Sequence, residues 1–221
     1  NILFQRRKLL LDKKQEVGEM ERKSFVFLEE LIDLPSPSGY EKEIQKRIKR
    51  EMETITPHVK TDVIGNVYGV LNQGNLPRVM IAGHCDEVGL MVKFISDEGF
   101  IYFRPIGGVD PHILPGKRVN IWGKEGAIPG VIGRKPIHLL EEEERKKLSK
   151  LEELFIDVGA KNREEIERKI SIGDPITFQE KLQLLNSEVA IARGFDDRIG
   201  AFMVVEILRA LKGKKFAPSV Y

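Results

Sequence analysis

Past residue 20 the apolar positions follow first a helical period and then a strand period. In residues 20–34 the spacing of Phe25, Leu28 and Ile32 predicts an amphipathic helix. Pro35-Ser-Pro-Ser-Gly39 ends it, because proline restricts the residue before it and glycine permits a sharp turn. Ile44, Ile48 and Met52 then recur every four residues among lysines and glutamates, so a second helix lays one face on a core. Short apolar runs follow at 67–71 and 79–82, with Asn72-Gln-Gly-Asn75 between them as a hairpin turn. Runs at 89–95 and 100–105 make a second hairpin around Ser96-Asp-Glu-Gly99, and further strands are expected at 119–122, 128–132, 154–158 and 175–178. A charged stretch at 141–153 interrupts this series and reads as a solvated helix or an exposed arm. The helical period returns with Ile199, Met203, Ile207 and Leu211, which puts Asp196 and Asp197 where a loop enters a final helix.

This change of texture predicts an α/β body made of residues 20–86 and 179–221, interrupted by a smaller β-rich domain over 87–178, with residues 1–19 as an N-terminal extension. At 221 residues and 41% hydrophobic, the chain can bury a substantial core. Lysine and arginine number 36 against 34 aspartates and glutamates. Seven of the cations and four of the acids lie in residues 1–23, leaving 29 and 30 in a nearly neutral remainder. That balance argues against a broad nucleic-acid surface. No run approaches the roughly 20 apolar residues that span a bilayer, so no membrane partner is expected. The single cysteine, Cys85, cannot build a disulfide framework, and a cytoplasmic location is the simplest expectation. Charges break up the apolar start of the chain and no small-residue cleavage pattern follows, so residues 1–23 read as a solvated extension or a partner-binding arm, not a secretory signal.

Chemistry concentrates in Met80-Ile-Ala-Gly-His84-Cys85-Asp86-Glu87, where an apolar run delivers polar residues to a strand end. A two-residue period points His84 and Asp86 the same way and turns Cys85 toward packing. A carboxylate on one ring nitrogen of His84 would leave the other for a divalent metal. A locally hydrogen-bonded His-Asp pair is the structural alternative. Asp196 and Asp197 suit helix capping, and metal ligation becomes the stronger reading only if other donors converge on them. His84 and Asp196 alone fall short of the three protein ligands of a catalytic zinc site. Glu87 reads as a loop or surface carboxylate. His58, His112 and His138 sit in no HExxH motif, and Gly107-Gly108 belongs to neither a P-loop nor a dinucleotide fingerprint.

Four separated blocks, Pro35-Ser-Pro-Ser-Gly-Tyr-Glu41, Asp62-Val-Ile-Gly-Asn66, His84-Cys-Asp-Glu-Val-Gly89 and Phe195-Asp-Asp-Arg-Ile-Gly200, occur in order with Pro105-Ile-Gly-Gly-Val-Asp-Pro111 between the last two. In these the chain resembles the metal-dependent peptidase family of tetrahedral aminopeptidases, glutamyl aminopeptidases and proteins historically named cellulase M. The resemblance implies an α/β catalytic domain interrupted by a β-rich dimerisation domain. It also implies self-association into dimers and a tetrahedral dodecamer, and removal of N-terminal residues from peptides with a free N-terminus through metal-activated water. Two divalent ions per complete subunit, zinc or cobalt, are implied: His84 binds one, Asp86 orients His84, and Asp196 bridges the pair. Asp197 and Arg198 are expected to shape the loop that carries Asp196. The family's general-base glutamate and its remaining metal ligands, a second glutamate, an aspartate and a histidine, are expected beyond Tyr221, so the C-terminal part of the catalytic domain is expected to be absent from this chain. Another metal-dependent peptide or amide hydrolase, or a catalytically incomplete assembly protein, are the alternatives.

Overall fold

A computed structural model describes residues 20–139, 141–145, 149–186 and 188–221. The expectations placed on residues 1–19 lie outside the described residues, as does part of the charged stretch, 146–148. In chain order the elements are α1 (Arg22–Asp33), α2 (Lys42–Glu53), β1 (Val59–Thr61), β2 (Val67–Gly69), β3 (Arg78–Val79), β4 (Gly89–Ile95), β5 (Ile101–Ile106), β6 (Arg118–Gly123) and β7 (Gly126–Gly133). There follow α3 (Glu142–Arg145), β8 (Phe155–Asp157), α4 (Arg163–Glu167), β9 (Pro175–Phe178), β10 (Gln183–Leu184), β11 (Ala190–Ile191), α5 (Phe195–Leu211) and β12 (Ser219–Val220). Among the described residues of the charged stretch, Glu142–Arg145 are helical and Leu151–Glu153 form a 3-10 turn. Among the described residues no helix is long and apolar enough to cross a membrane.

The chain divides into two compact units. The first takes residues 20–35 with Glu41–Cys85 and Glu180–Tyr221, and its core is a three-helix contact. Phe27, Leu28, Leu31 and Ile32 of α1, Ile44, Ile48 and Met52 of α2, and Ala201, Phe202, Val205 and Leu208 of α5 are all buried there. The rings of Phe27 and Phe202 meet at 6.0 Å with a 34° tilt, a favourable aromatic arrangement. The buried face of α5 runs through 198, 201, 202, 205 and 208, so the predicted stripe of Ile199, Met203, Ile207 and Leu211 is displaced by a fraction of a turn, with Met203 exposed. Glu51 is buried on α2 and receives Arg47 Nη1 at 2.9 Å and Arg209 Nη2 at 2.6 Å. Burial pushes its pKa up, but those hydrogen bonds outweigh it and hold the carboxyl below its ordinary value.

The predicted hairpin of 67–71 with 79–82 does not form. β2 pairs with β1 in antiparallel register, Thr61 opposite Val67. The end of the chain takes the place the hairpin partner would have had: β12 runs parallel to β3, with Val220 opposite Val79 and bridging Leu71 on its other side. The ladder continues as Ile81 N donates to Tyr221 O at 2.8 Å.

The second unit takes Ser36–Tyr40 and Asp86–Gln179. Six antiparallel strands close into a barrel in the order β4-β5-β8-β7-β6-β9, with β9 returning to β4. The β4–β5 hairpin forms as predicted, Gly89 opposite Ile106 and Ile95 opposite Ile101. A register shift between Val92 and Phe94 changes the phase of β4. Leu90 and Val92 are buried before it and Ile95 after it, while Phe94 is turned out. Val119, Ile121, Ile132, Ile156 and Ile176 complete the barrel core.

Candidate functional site

His84 lies beyond the short β3 ladder, in an irregular segment and not on a strand as the apolar run suggested. Asp196 lies at the start of α5, where the backbone is not yet helical (φ −88°, ψ 108°), and Asp197 follows at φ −120°, ψ 40°. Within the first unit these two places converge: His84 Nε2 is 3.4 Å from Asp196 Oδ1. That separation is long for a hydrogen bond. With side chains 56% and 99% exposed, the pair is worth little as an ion pair. An imidazole nitrogen and a carboxylate oxygen are the donors that zinc and cobalt accept. Two such donors about 2.0–2.1 Å from one tetrahedral ion would stand about 3.3 Å apart, so this pair fits the implied metal. Among the described residues no cluster of three or more His, Cys, Asp or Glu side chains is arranged to hold a metal, and two donors alone fall short of the three protein ligands of a catalytic zinc site.

Asp197 is a helix cap, as one of the two sequence readings held: its Oδ1 accepts from Gly200 N at 2.9 Å. Arg198 is fully buried and donates Nη1 to Ile32 O at 3.0 Å and Nη2 to Leu34 O at 2.9 Å. These are carbonyls at the C-terminal end of α1, where a cation meets both the unsatisfied oxygens and the negative end of the helix dipole. Arg198 thus ties the entry of α5 to the exit of α1. Cys85 is half-buried and packs on the first unit's core.

In the second unit Asp86 and Glu87 are held by the loop that joins the two N-terminal helices. Ser38 Oγ donates to Asp86 Oδ2 at 2.5 Å. Glu87 is 5% exposed, so the surface-carboxylate reading gives way to a buried one. Its Oε1 accepts from Ser36 N at 3.2 Å, its own N–H donates to Ser36 O at 2.9 Å, and its carbonyl accepts from Ser38 N at 3.3 Å. Tyr40 Oη donates to Gly173 O on the same unit. The sequence marks Ser36–Tyr40 as a helix-ending loop and as part of the first family block, and the polar Ser-x-Ser in it is the signal of this second role. His112 pairs with Asp110 at 2.8 Å, a local contact in the Pro105–Pro111 block.

The Asp62–Asn66 block closes the β1–β2 hairpin on itself. The hydroxyl of Tyr68 donates to Asp62 Oδ2 at 2.5 Å, Asn66 Nδ2 to the same oxygen at 2.9 Å, and the N–H groups of Ile64 and Asn66 to Oδ1 at 3.0 and 2.9 Å. Tyr68 first, then these donors, hold the carboxyl down to about 2. Gly65 stands at φ +100°, which only glycine adopts without strain.

The model of the M42 glutamyl aminopeptidase family matches residues 65–221. The chain belongs to that family. Among M42 relatives, the lysyl aminopeptidase of Pyrococcus furiosus is 32% identical over 188 residues, covering 83% of this chain and 54% of that protein. The TET aminopeptidase of the marine sediment archaeon Thaumarchaeota archaeon SCGC AB-539-E09 superposes with a TM-score of 0.86 at 37% identity, over 90% of this chain and 57% of that one. The Pyrococcus horikoshii TET1 peptidase, which can assemble into a tetrahedron or a large octahedral shell, gives 0.80 at 34% identity over 89% and 59%. The mixed helix-and-strand fold is therefore the one seen in TET aminopeptidases, and the M42 chain spans about half the length of the curated relatives it matches.

Proposed function

We propose that this M42 chain carries the first part of the catalytic machinery of a metal-dependent aminopeptidase that removes residues from the free N-terminus of peptides. The observation that carries this reading is the approach of His84 Nε2 and Asp196 Oδ1 to 3.4 Å across 112 positions of sequence, in a chain of the M42 glutamyl aminopeptidase family. In the proposal His84 and Asp196 would hold divalent cations, zinc or cobalt, with Asp196 shared between two of them and Asp86 orienting His84. The glutamate pair, aspartate and histidine that the family resemblance implies are proposed to complete the donor set. When bound, such ions polarise the scissile carbonyl and activate a water for attack. Asp196 and His84 would supply a carboxylate oxygen and an imidazole nitrogen at that place, and Asp197 and Arg198 fix the turn from which Asp196 projects. The barrel unit is proposed to be a dimerisation domain inserted in the catalytic one. The assemblies of the TET1 peptidase support self-association, with a tetrahedral dodecamer as the proposed form.

The test uses the full-length polypeptide, stripped of metal and then supplied with zinc or cobalt, on matched peptides with free and acetylated N-termini. Stepwise loss of N-terminal residues from the free peptides alone, dependent on metal and abolished in His84→Ala and Asp196→Ala, is expected. Equal cleavage of acetylated peptides would instead indicate another amide hydrolase. Cleavage unaffected by metal removal would refute the proposed chemistry.

A further inference from the structure

The 3.4 Å approach of His84 and Asp196 joins residues 112 positions apart, and the first unit shows one place where the two backbones touch just beside them. A Cβ built on Gly83 would fall 2.4 Å from the carbonyl carbon of Gly200, 2.5 Å from the nitrogen of Ala201 and 2.9 Å from the oxygen of Gly200. All three are main-chain atoms in the first turn of α5, with no flexible side chain to move aside. His84 is the next residue after Gly83. On the other side, Asp196 is joined to Asp197, whose carboxylate accepts the Gly200 N–H at 2.9 Å. That carboxylate lies so close over Gly200 that a Cβ there would stand 2.2 Å from its Oδ2. Each half of the pair is thus one short link from the same glycine contact.

We propose that the Gly83–Gly200 contact is a spacer that sets the separation of His84 and Asp196, which makes Gly83 and the Asp197 tether positioning elements for the metal pair. The proposal rests on the reading of that pair as metal donors. Carbon atoms pack at about 3.5–4.0 Å, so a methyl group on residue 83 must open the contact by about 1 Å. Helix α5 cannot retreat, because Ala201, Phe202 and Val205 behind the contact are buried against α1 and α2. The displacement falls on the segment carrying His84. Metal sites tolerate errors of about 0.2 Å in donor placement, so a shift of that size separates donors that now fit one ion.

Cobalt(II) titration of the metal-free full-length protein, followed by visible d–d absorption and calorimetry, tests this without a turnover assay. Gly83→Ala is expected to weaken cobalt binding by about 10- to 100-fold and Asp197→Ala by about tenfold. Asp197→Asn, whose amide oxygen still accepts from Gly200 N–H, is expected to return to within about threefold of wild type. Thermal midpoints of the metal-free variants serve as the folding control. Should Gly83→Ala fail to fold, the Asp197 variants decide: loss rescued by asparagine supports the spacer, and wild-type affinity in Asp197→Ala overturns it. An Asp197→Asn variant as weak as Asp197→Ala would assign the effect to charge and also overturn it. His84→Ala separates the two layers of argument. If it retains wild-type cobalt affinity, the metal reading fails and the spacer with it; if it loses cobalt while Gly83→Ala does not, only the spacer fails.

Discussion

Arg198→Met is the most direct test of how the start of α5 is held. Arginine 198 is fully buried and donates to Ile32 O and Leu34 O at 3.0 and 2.9 Å. Methionine keeps much of the side-chain volume and removes both donors. The buried Ile32 carbonyl left without this partner costs about 1–3 kcal/mol, whereas Leu34 O still accepts from Arg193 Nη2 at 3.2 Å and the desolvation of the guanidinium is recovered, so a net loss of about 1–3 kcal/mol is expected. Arg198→Lys, with a compact ammonium in place of a planar fork, should recover part of it. The loss should be local first: Leu34 N, which donates to Glu30 O at 3.2 Å in the last turn of α1, should exchange its proton faster. Urea unfolding of the metal-free full-length protein gives the global value, and amide exchange gives the local one, since a two-unit chain can unfold in more than one step. Arg198→Met within about 0.5 kcal/mol of wild type, with unchanged protection of Leu34, would refute the assignment of these two bonds as the tie between α1 and α5.

Further outcomes follow from the charged groups. Folding lowers the Asp62 pKa to about 2, so its ionised form favours the folded state above the unfolded value of about 3.9, and that contribution vanishes as pH falls through about 2. An NMR titration should place its carboxyl midpoint near 2, and a midpoint near 4 would contradict the four hydrogen bonds assigned to it. Glu51→Gln should cost about 1–3 kcal/mol at neutral pH. Because the folded pKa of Glu51 is also lowered, the stability gap between wild type and Glu51→Gln should narrow as pH drops below about 4, and a gap independent of pH would show that the Arg47 and Arg209 bonds do not depend on its charge. Gly89→Ala would put a Cβ 2.8 Å from Ile176 O and 2.9 Å from Pro37 Cγ. It should lower the thermal midpoint through overpacking of about 1–3 kcal/mol and loosen the Ser36–Tyr40 loop; an unchanged midpoint would argue that this packing is slack.

What could be read from the residues alone was what depends on near neighbours. Helices α1 and α2 and the β4–β5 hairpin were legible because their apolar period and the Ser96–Gly99 turn lie within a few residues of each other. The pairing of β3 was not, because its partner Ser219–Val220 lies some 140 positions away and two apolar runs in sequence look like a hairpin whatever comes between them in space. The face of α5 was misplaced for two reasons. Steps of four residues drift on a helix of 3.6 per turn, and the buried stripe contains Arg198, whose charge hides its burial. At the site, His84 and Asp196 stood out by residue type and family resemblance. The close approach at Gly83 and the bond from Ser38 to Asp86 did not, since a glycine contact and a serine-carboxylate bond leave no periodic trace.

The barrel's closing seam bears on how this chain can be rearranged. β4 opens the barrel and β9 completes it, and the two lie side by side with Leu90 opposite Ile176 and Met91 opposite Pro175. Paired residues of antiparallel strands stand about 4.5–5.5 Å apart, so the chain enters and leaves the barrel through one narrow doorway. A stretch with such adjacent ends and no open sheet edge is a transferable cassette: two or three glycines could close the gap left by its removal, and it could be spliced into another host at a surface turn. Ser36–Tyr40 belongs to the same unit, and a transplanted cassette would have to bring it along to keep Glu87 satisfied.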